Sequence, residues 1–357
     1  MGSRGFHDKP YDEGTLLKLK IFELYIQAWI PVFISQLEPP FPEVHLFDLF
    51  SGPGNDAAGV LGSPLRLLQQ LKIYQKASLA GWAKARIIVH FSDQDPKKIE
   101  LLAEALKKPE WQIPDVRIDV QVSSFAEALL AHKSILTNPR AAKLLIIDQY
   151  GVDEVSDLVF RDLIDFPTTD FIFFLSSSTL HRFRGHPAIK IKIGEIDDSY
   201  DVHRAAFDWF LKLTPASAFL GKFSIRKRSN IYGLIFGSKH PLGLHKFLEV
   251  AWKNDEIAGE ANFDIDHENI EHGEMLLPMS ELRPKKLQMF EVDLEAALRA
   301  GMLRSETDLI HFCIAAGVTG SHAAHVLQKL KVEKIVACDF RVPSVRKISE
   351  SRAITLL

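Results

Sequence analysis

Residues 44–54 read Val44-His45-Leu46-Phe47-Asp48-Leu49-Phe50-Ser51-Gly52-Pro53-Gly54. The apolar run over 44–50 predicts a buried strand. It ends in an acid and then a small, glycine-bearing turn. In an α/β sheet, ligands bind in the crevice beyond the carboxyl ends of the strands. Gly52 and Gly54 have no Cβ, so backbone there can approach a ligand closely or take positive φ. The turn is not a phosphate loop, because no Gly-Lys-Ser/Thr follows it. The alternative is an ordinary tight strand-to-helix turn.

Working outward, further apolar runs predict strands over 85–91, 116–122, 142–147 and 171–176. Helical spacing predicts helices over 64–74, 96–107 and 125–135, with Pro64 at a favoured first position. Strands alternating with helices predict a doubly wound, mostly parallel sheet. Two later runs, 221–227 and 231–237, flank Arg228-Ser229-Asn230 and predict an antiparallel last hairpin. Ahead of the sheet, Leu16, Leu19, Ile21, Phe22, Tyr25, Ile26 and Trp29 recur at helical spacing over 15–36. That helix either packs on the sheet or covers the ligand, and Pro31 kinks it or starts a second one.

The strand ends carry the chemistry. Asp93 and Asp95 follow the second strand, where a carboxylate can accept from both hydroxyls of a ribose. The third strand ends in Ser123-Ser124-Phe125, offering hydroxyls only, and the fourth in Asp148-Gln149-Tyr150-Gly151. The stretch 179–219 is predicted as an insertion, opening His181-Arg182-Phe183-Arg184-Gly185-His186. Arg182 and Arg184 around an aromatic can track a phosphate backbone, or can belong to a solvated loop.

After a helix over 244–253, the polar, acidic run beginning at Asn254 is predicted to be a solvated linker. Its acids and histidines match neither a His-Glu-x-x-His helix nor a calcium loop. The expected organisation is therefore a first domain over 1–253, a linker over 254–280 and a second domain over 281–357. Helices over 286–300, 306–316 and 322–330, then strands over 334–340 and 344–348, form a winged-helix pattern. Such a module binds DNA or protein. Its nucleic-acid candidates are Ser321, His322, His325, Lys329, Arg341 and Arg346.

With 357 residues, 46% hydrophobic and 25% charged, the chain is expected to hold two globular domains. A net charge of −3 excludes a global basic field, so any nucleic-acid contact must be local. Two cysteines, Cys313 and Cys338, make no disulfide framework and no zinc motif. Without a signal-peptide core or a membrane-length apolar run, a cytoplasmic location is expected.

The string Asp-Leu-Phe-Ser-Gly-Pro-Gly resembles the first motif of S-adenosylmethionine (SAM)-dependent methyltransferases. The opening Tyr11-Asp12-Glu13-Gly14-Thr15, with Lys18-Leu19, Tyr25-Ile26 and Ala28-Trp29, resembles that of the three-Cys-motif partner family. So does the order that follows: Gly62-Ser63-Pro64, the acids before Pro96, Asp148-Gln149-Tyr150-Gly151, and Tyr232-Gly233-Leu234-Ile235-Phe236. The resemblance spans most of the chain. It implies a methyltransferase-like Rossmann domain with a winged-helix-like tail, and a protein partner encoded nearby. This chain has Gln149 where the family usually has proline, and Ser124 where it tends to have an acid.

The resemblance implies SAM held by Asp48, Phe50, Ser51, Gly52, Gly54, Asp93 or Asp95, and Ser124. Asp148-Gln149-Tyr150 then resembles the Asp-Pro-Pro-Tyr motif of amino-methyltransferases. Asp148 would orient an amine, Gln149 bond a base edge and Tyr150 stack on a base. Two functions are expected to compete. One is methyl transfer on or near nucleic acid. The other is an inactive Rossmann scaffold or nucleotide sensor that docks DNA or a protein.

Overall fold

The stretch around Leu46 forms β1 (Glu43–Asp48), buried from Val44 onward. In the computed structural model, which describes residues 9–149, 154–176, 199–227, 230–266, 285–345 and 351–357, β1 lies mid-sheet. It runs parallel to β2 (Arg86–Asp93) on one side and β4 (Ala141–Ile147) on the other, with Leu46 opposite both Val89 and Leu144. An unbroken apolar run suits a strand covered on both faces. β3 (Val116–Val122) and β5 (Thr169–Ser176) extend the sheet, and β6 (Phe219–Lys227) with β7 (Asn230–Ser238) completes it. The order is β3-β2-β1-β4-β5-β7-β6, and β7 is antiparallel to both β5 and β6. This is a doubly wound, Rossmann-like sheet of the methyltransferase type with an antiparallel last hairpin. The winding reverses between β1 and β4, so the crevice for a ligand lies beyond the tips of those two strands.

The N-terminal helix α1 (Glu13–Ile34) starts on the Asp12 carboxylate, which accepts from the Thr15 N–H at 3.0 Å. Its stripe from Leu19 to Trp29 is in the core, while Leu16 is exposed. Pro31 does not start a second helix: α1 runs through it to Ile34. The Gln27 carbonyl that Pro31 cannot reach accepts from Tyr74 Oη at 2.5 Å. Tyr25 Oη (2.8 Å) and Trp29 Nε1 (3.0 Å) donate to Asp170, tying α1 to the start of β5.

α2 (Ser63–Lys76), α3 (Pro96–Leu106), α4 (Phe125–Ala131), α5 (Lys133–Leu136) and α6 (Asp157–Asp165) make the crossovers. The expected insertion over 179–219 is corrected in part. Residues 199–213 form α7 (Ser199–Leu213), a crossover helix whose Phe210 packs 4.7 Å from Phe160 and 5.2 Å from Phe173. Apolar residues on one face make it part of the core. Arg182 and Arg184 lie outside the described residues.

Beneath α4 the sheet buries a histidine pair: His45 Nδ1 lies 3.0 Å from His90 Nε2, and Phe47 stacks on His90 at 4.4 Å. Burial, aided by Lys143 and His132, lowers His45 to about 4. Burial, aided by His132 and His45, lowers His90 to about 3. The unfolded chain then binds more protons than the folded one below the ordinary histidine pKa. The stability these neutral rings contribute is lost as pH falls from about 6.5 toward these values. Replacing both by phenylalanine is expected to flatten the stability–pH slope by up to about 2.7 kcal/mol per pH unit between about pH 4.5 and 6.5. Urea unfolding across that range checks it, and an unchanged slope would sink it.

The chain divides into compact units at Lys239/His240. The sequence placed the boundary after 253, but α8 (Pro241–Asn254) belongs to the second unit, with Phe247 and Leu248 in its core. The expected linker is also corrected where it is described. The buried Asp255 carboxylate accepts from the N–H groups of Ile257, Ala258, Glu260 and Ala261. Ala258, Ala261, Phe263 and Ile265 are buried behind it. One carboxylate thus satisfies the backbone of a tight, packed loop.

Three helices follow: α9 (Lys285–Arg299), α10 (Glu306–Ala315) and α11 (Gly320–Val332). Of the predicted wing hairpin around Arg341-Val342-Pro343, Ser344 and Val345 carry no strand, and 346–348 lie outside the described residues. Among the described residues β8 (Val336–Ala337) pairs with β9 (Thr355–Leu356). Glu306, fully buried, takes the Ser344 N–H (2.7 Å) and pairs with Arg352 (2.5 Å). Among the described residues no helix is long and apolar enough to cross a membrane.

Candidate functional site

Asp48 ends β1 and is fully buried. Its Oδ1 accepts from the Phe50 N–H at 3.3 Å, while its Oδ2 has no hydrogen-bond partner among the described residues. Burial pushes the carboxyl up to about 7; Ser63 and the Phe50 N–H pull it back in part, and the charges of Asp148 and Asp93 push it further. The turn after it needs its glycines, with φ of +62° at Gly52 and +94° at Gly54. Gly54 also packs so closely that a Cβ there would lie 3.2 Å from Leu102 and 3.3 Å from Leu65. Ser51 donates from its N–H and its hydroxyl to the Ser92 carbonyl (2.9 and 3.2 Å), stitching the turn to β2.

The acids after β2 serve the same stitching. Asp93 is 2% exposed and accepts from the N–H groups of Gly52 (3.2 Å) and Asp95 (2.9 Å). Asp95 caps α3 through the Lys97 N–H at 3.0 Å. Ser124 and Glu127 form a capping box on α4. Both groups expected to meet the cofactor, Asp93 and Ser124, thus also hold local backbone. Caps and ligand contacts look alike in sequence, because both place acids and hydroxyls where a strand gives way to a helix.

A cleft of about 230 Å³ opens near the switch point, lined by Phe50 and Ser51 of the turn that follows Asp48. Phe50, Ser51 and Ser63 line one side, Asp148, Phe174 and Tyr232 the other, and α1 covers it with Thr15 and Lys18. Lys18 Nζ meets Asp148 at 2.6 Å (Oδ1) and 2.5 Å (Oδ2), and stands 4.4 Å from the Phe174 ring centroid. That aromatic stacks on Tyr232 at 5.3 Å. Lys227 closes the rim in an ion pair with Asp12.

Of the expected acceptor triplet, Asp148 and Gln149 both line the cleft. Gln149 is 1% exposed; its Nε2 donates to the Phe174 carbonyl (3.0 Å) and its Oε1 accepts from the Val155 N–H (3.2 Å). One end of the amide thus ties the tip of β4 to β5, and the other ties it to the loop before α6. Tyr150 lies outside the described residues. Lys18, Phe174 and Tyr232 were not anticipated. Lys18 had a signal, because it sits four residues before Phe22 on the buried stripe of α1, where an unpaired cation is costly.

In the second unit Ser321 Oγ lies 2.7 Å from Thr319 Oγ1. His322 accepts from the Thr319 N–H at 3.1 Å, packs 4.2 Å from Trp252 and has its pKa lowered by burial. Lys329 pairs with Glu295 at 2.7 Å, and His325 stands 3.8 Å from Glu291. Arg341 is exposed, and Arg346 lies outside the described residues.

Sheet order and the switch-point cleft define a methyltransferase-like Rossmann fold. No family model matches the chain, and no curated protein does. Among solved structures it is similar to a SAM-dependent methyltransferase from Agrobacterium tumefaciens (8% identity, TM-score 0.34, 64% of this chain and 62% of that one). It is also similar to an O-methyltransferase from Bacillus cereus in complex with SAH (11%, TM-score 0.36, 65% and 83%). An rRNA methylase from Streptococcus thermophilus matches at 7% identity and a TM-score of 0.33 (64% and 98%). The chain thus spans less than two thirds of the Agrobacterium protein.

Proposed function

We propose that the first unit is a SAM-dependent methyltransferase acting on an amine. One observation carries this: at the β1/β4 switch point lies a fully buried carboxylate oxygen, Asp48 Oδ2, with no partner among the described residues. A buried, unsatisfied acceptor costs about 1–3 kcal/mol, and an ammonium from the amino-acid end of SAM would satisfy it. Ser51, three residues on, lines the cleft. Asp93 or Asp95, the acids after β2, would hold the ribose. When bound, SAM supplies a methyl group already activated on a sulfonium, so the protein's task is positioning. Asp148 orients the amine, and the face of Phe174 favours its cationic form.

Titration calorimetry with SAM and S-adenosylhomocysteine tests the reading. Micromolar binding that is lost in Asp48→Ala is expected; wild type that binds neither ligand would overturn it. A second reading, a nucleotide sensor without transfer, is favoured by the pairing of Asp148 with Lys18 inside the chain. It predicts the same binding with no methylated product. A DNA-binding role for the second unit would appear as an affinity falling with salt, with a log–log slope of about −0.9 per phosphate neutralised.

A further inference from the structure

An amine already stands where an acceptor amine belongs. Lys18 Nζ holds both oxygens of Asp148 and faces the Phe174 ring, and the side chain is 7% exposed. It lines the same cleft as Phe50 and Ser51, on the glycine turn. We infer that the protein methylates itself at Lys18 Nζ, so that the substrate class of this site is the aliphatic amine of a lysine. The inference rests on the methyl-transfer reading above.

The stereochemistry is consistent. An ammonium nitrogen has three N–H bonds, and two of them are taken by Asp148. Loss of the third proton to water leaves a lone pair directed away from the carboxylate. That pair forms the new N–CH₃ bond. The S–CH₃ bond breaks with its electrons remaining on sulfur, so the sulfonium becomes a neutral thioether and the amine regains its positive charge. A monomethylated Lys18 keeps two N–H bonds for Asp148, and a methylammonium suits an aromatic face. The product therefore fits the site that made it, and α1 stays in place.

The test uses the full chain. Protein as purified, and protein incubated with methyl-labelled SAM, is digested and mapped by mass spectrometry, with SAM binding measured by calorimetry on the same preparation. One methyl on Lys18, approaching one per chain, is expected, with the label falling to background in Lys18→Arg while SAM still binds. Arginine keeps a cation on Asp148, so that variant retains the fold. Label confined to Lys227 or to the exposed Lys20, or no label although SAM binds, overturns self-methylation and leaves the proposed function standing. Failure to bind SAM overturns both.

Discussion

Asp48→Asn is expected to make the ligand-free protein more stable above about pH 7, by up to about 4 kcal/mol, while weakening SAM binding at least tenfold. The folded carboxyl titrates near 7 against an ordinary 3.8, chiefly because it is buried. Between those values the folded state holds a proton that the unfolded state has released. Wild-type stability relative to Asp48→Asn should therefore fall as pH rises from about 4 to about 7 and level off above that. Asparagine cannot ionise, so the two proteins should agree at low pH and separate as it rises. Urea unfolding of both across this range measures the gap. Wild type gaining stability relative to Asp48→Asn over the same range would refute the assignment. In the proposed function the buried carboxylate meets an ammonium, so SAM affinity should also fall as pH drops below about 7. Stability and binding then move in opposite directions at one residue, as expected where a site is built around an unsatisfied group.

Lys18→Met is expected to cost about 2–3 kcal/mol, the lower end for breaking a buried pair, because Asp148 keeps 20% side-chain exposure and some solvent screening. Most of the cost comes from the stranded carboxylate rather than from the lost attraction. Lys18→Met/Asp148→Asn should therefore recover stability relative to Lys18→Met alone, by about 1–2 kcal/mol in a double-mutant cycle. Equal and additive losses would show that the two residues do not act as a pair.

Much of the sheet was legible because its strands are short apolar runs, each ended by an acid, a serine or a glycine turn. Asp48 and the glycines fell where expected for the same reason. The roles of Asp93, Asp95 and Ser124 were less legible. An acid before Pro96 and a serine three residues before Glu127 are helix caps as readily as ligand contacts, and only the bonded N–H groups distinguish them. The partner of β8 was not legible, because two-residue strands have no periodicity to read.

What the sequence alone determined is the order of elements and the placement of small residues and acids at neighbouring strand tips. Those are consequences of local pattern: hydrophobic period, proline, glycine and turn chemistry act over a few residues. What only the tertiary structure decided is which of those groups are spent and which are left over. Lys18 reaches Asp148 across 130 positions, Gln149 joins β4 to β5, and Asp48 Oδ2 is left without a partner among the described residues. Hydrogen bonds and ion pairs are settled by distance in space, and no local pattern records them.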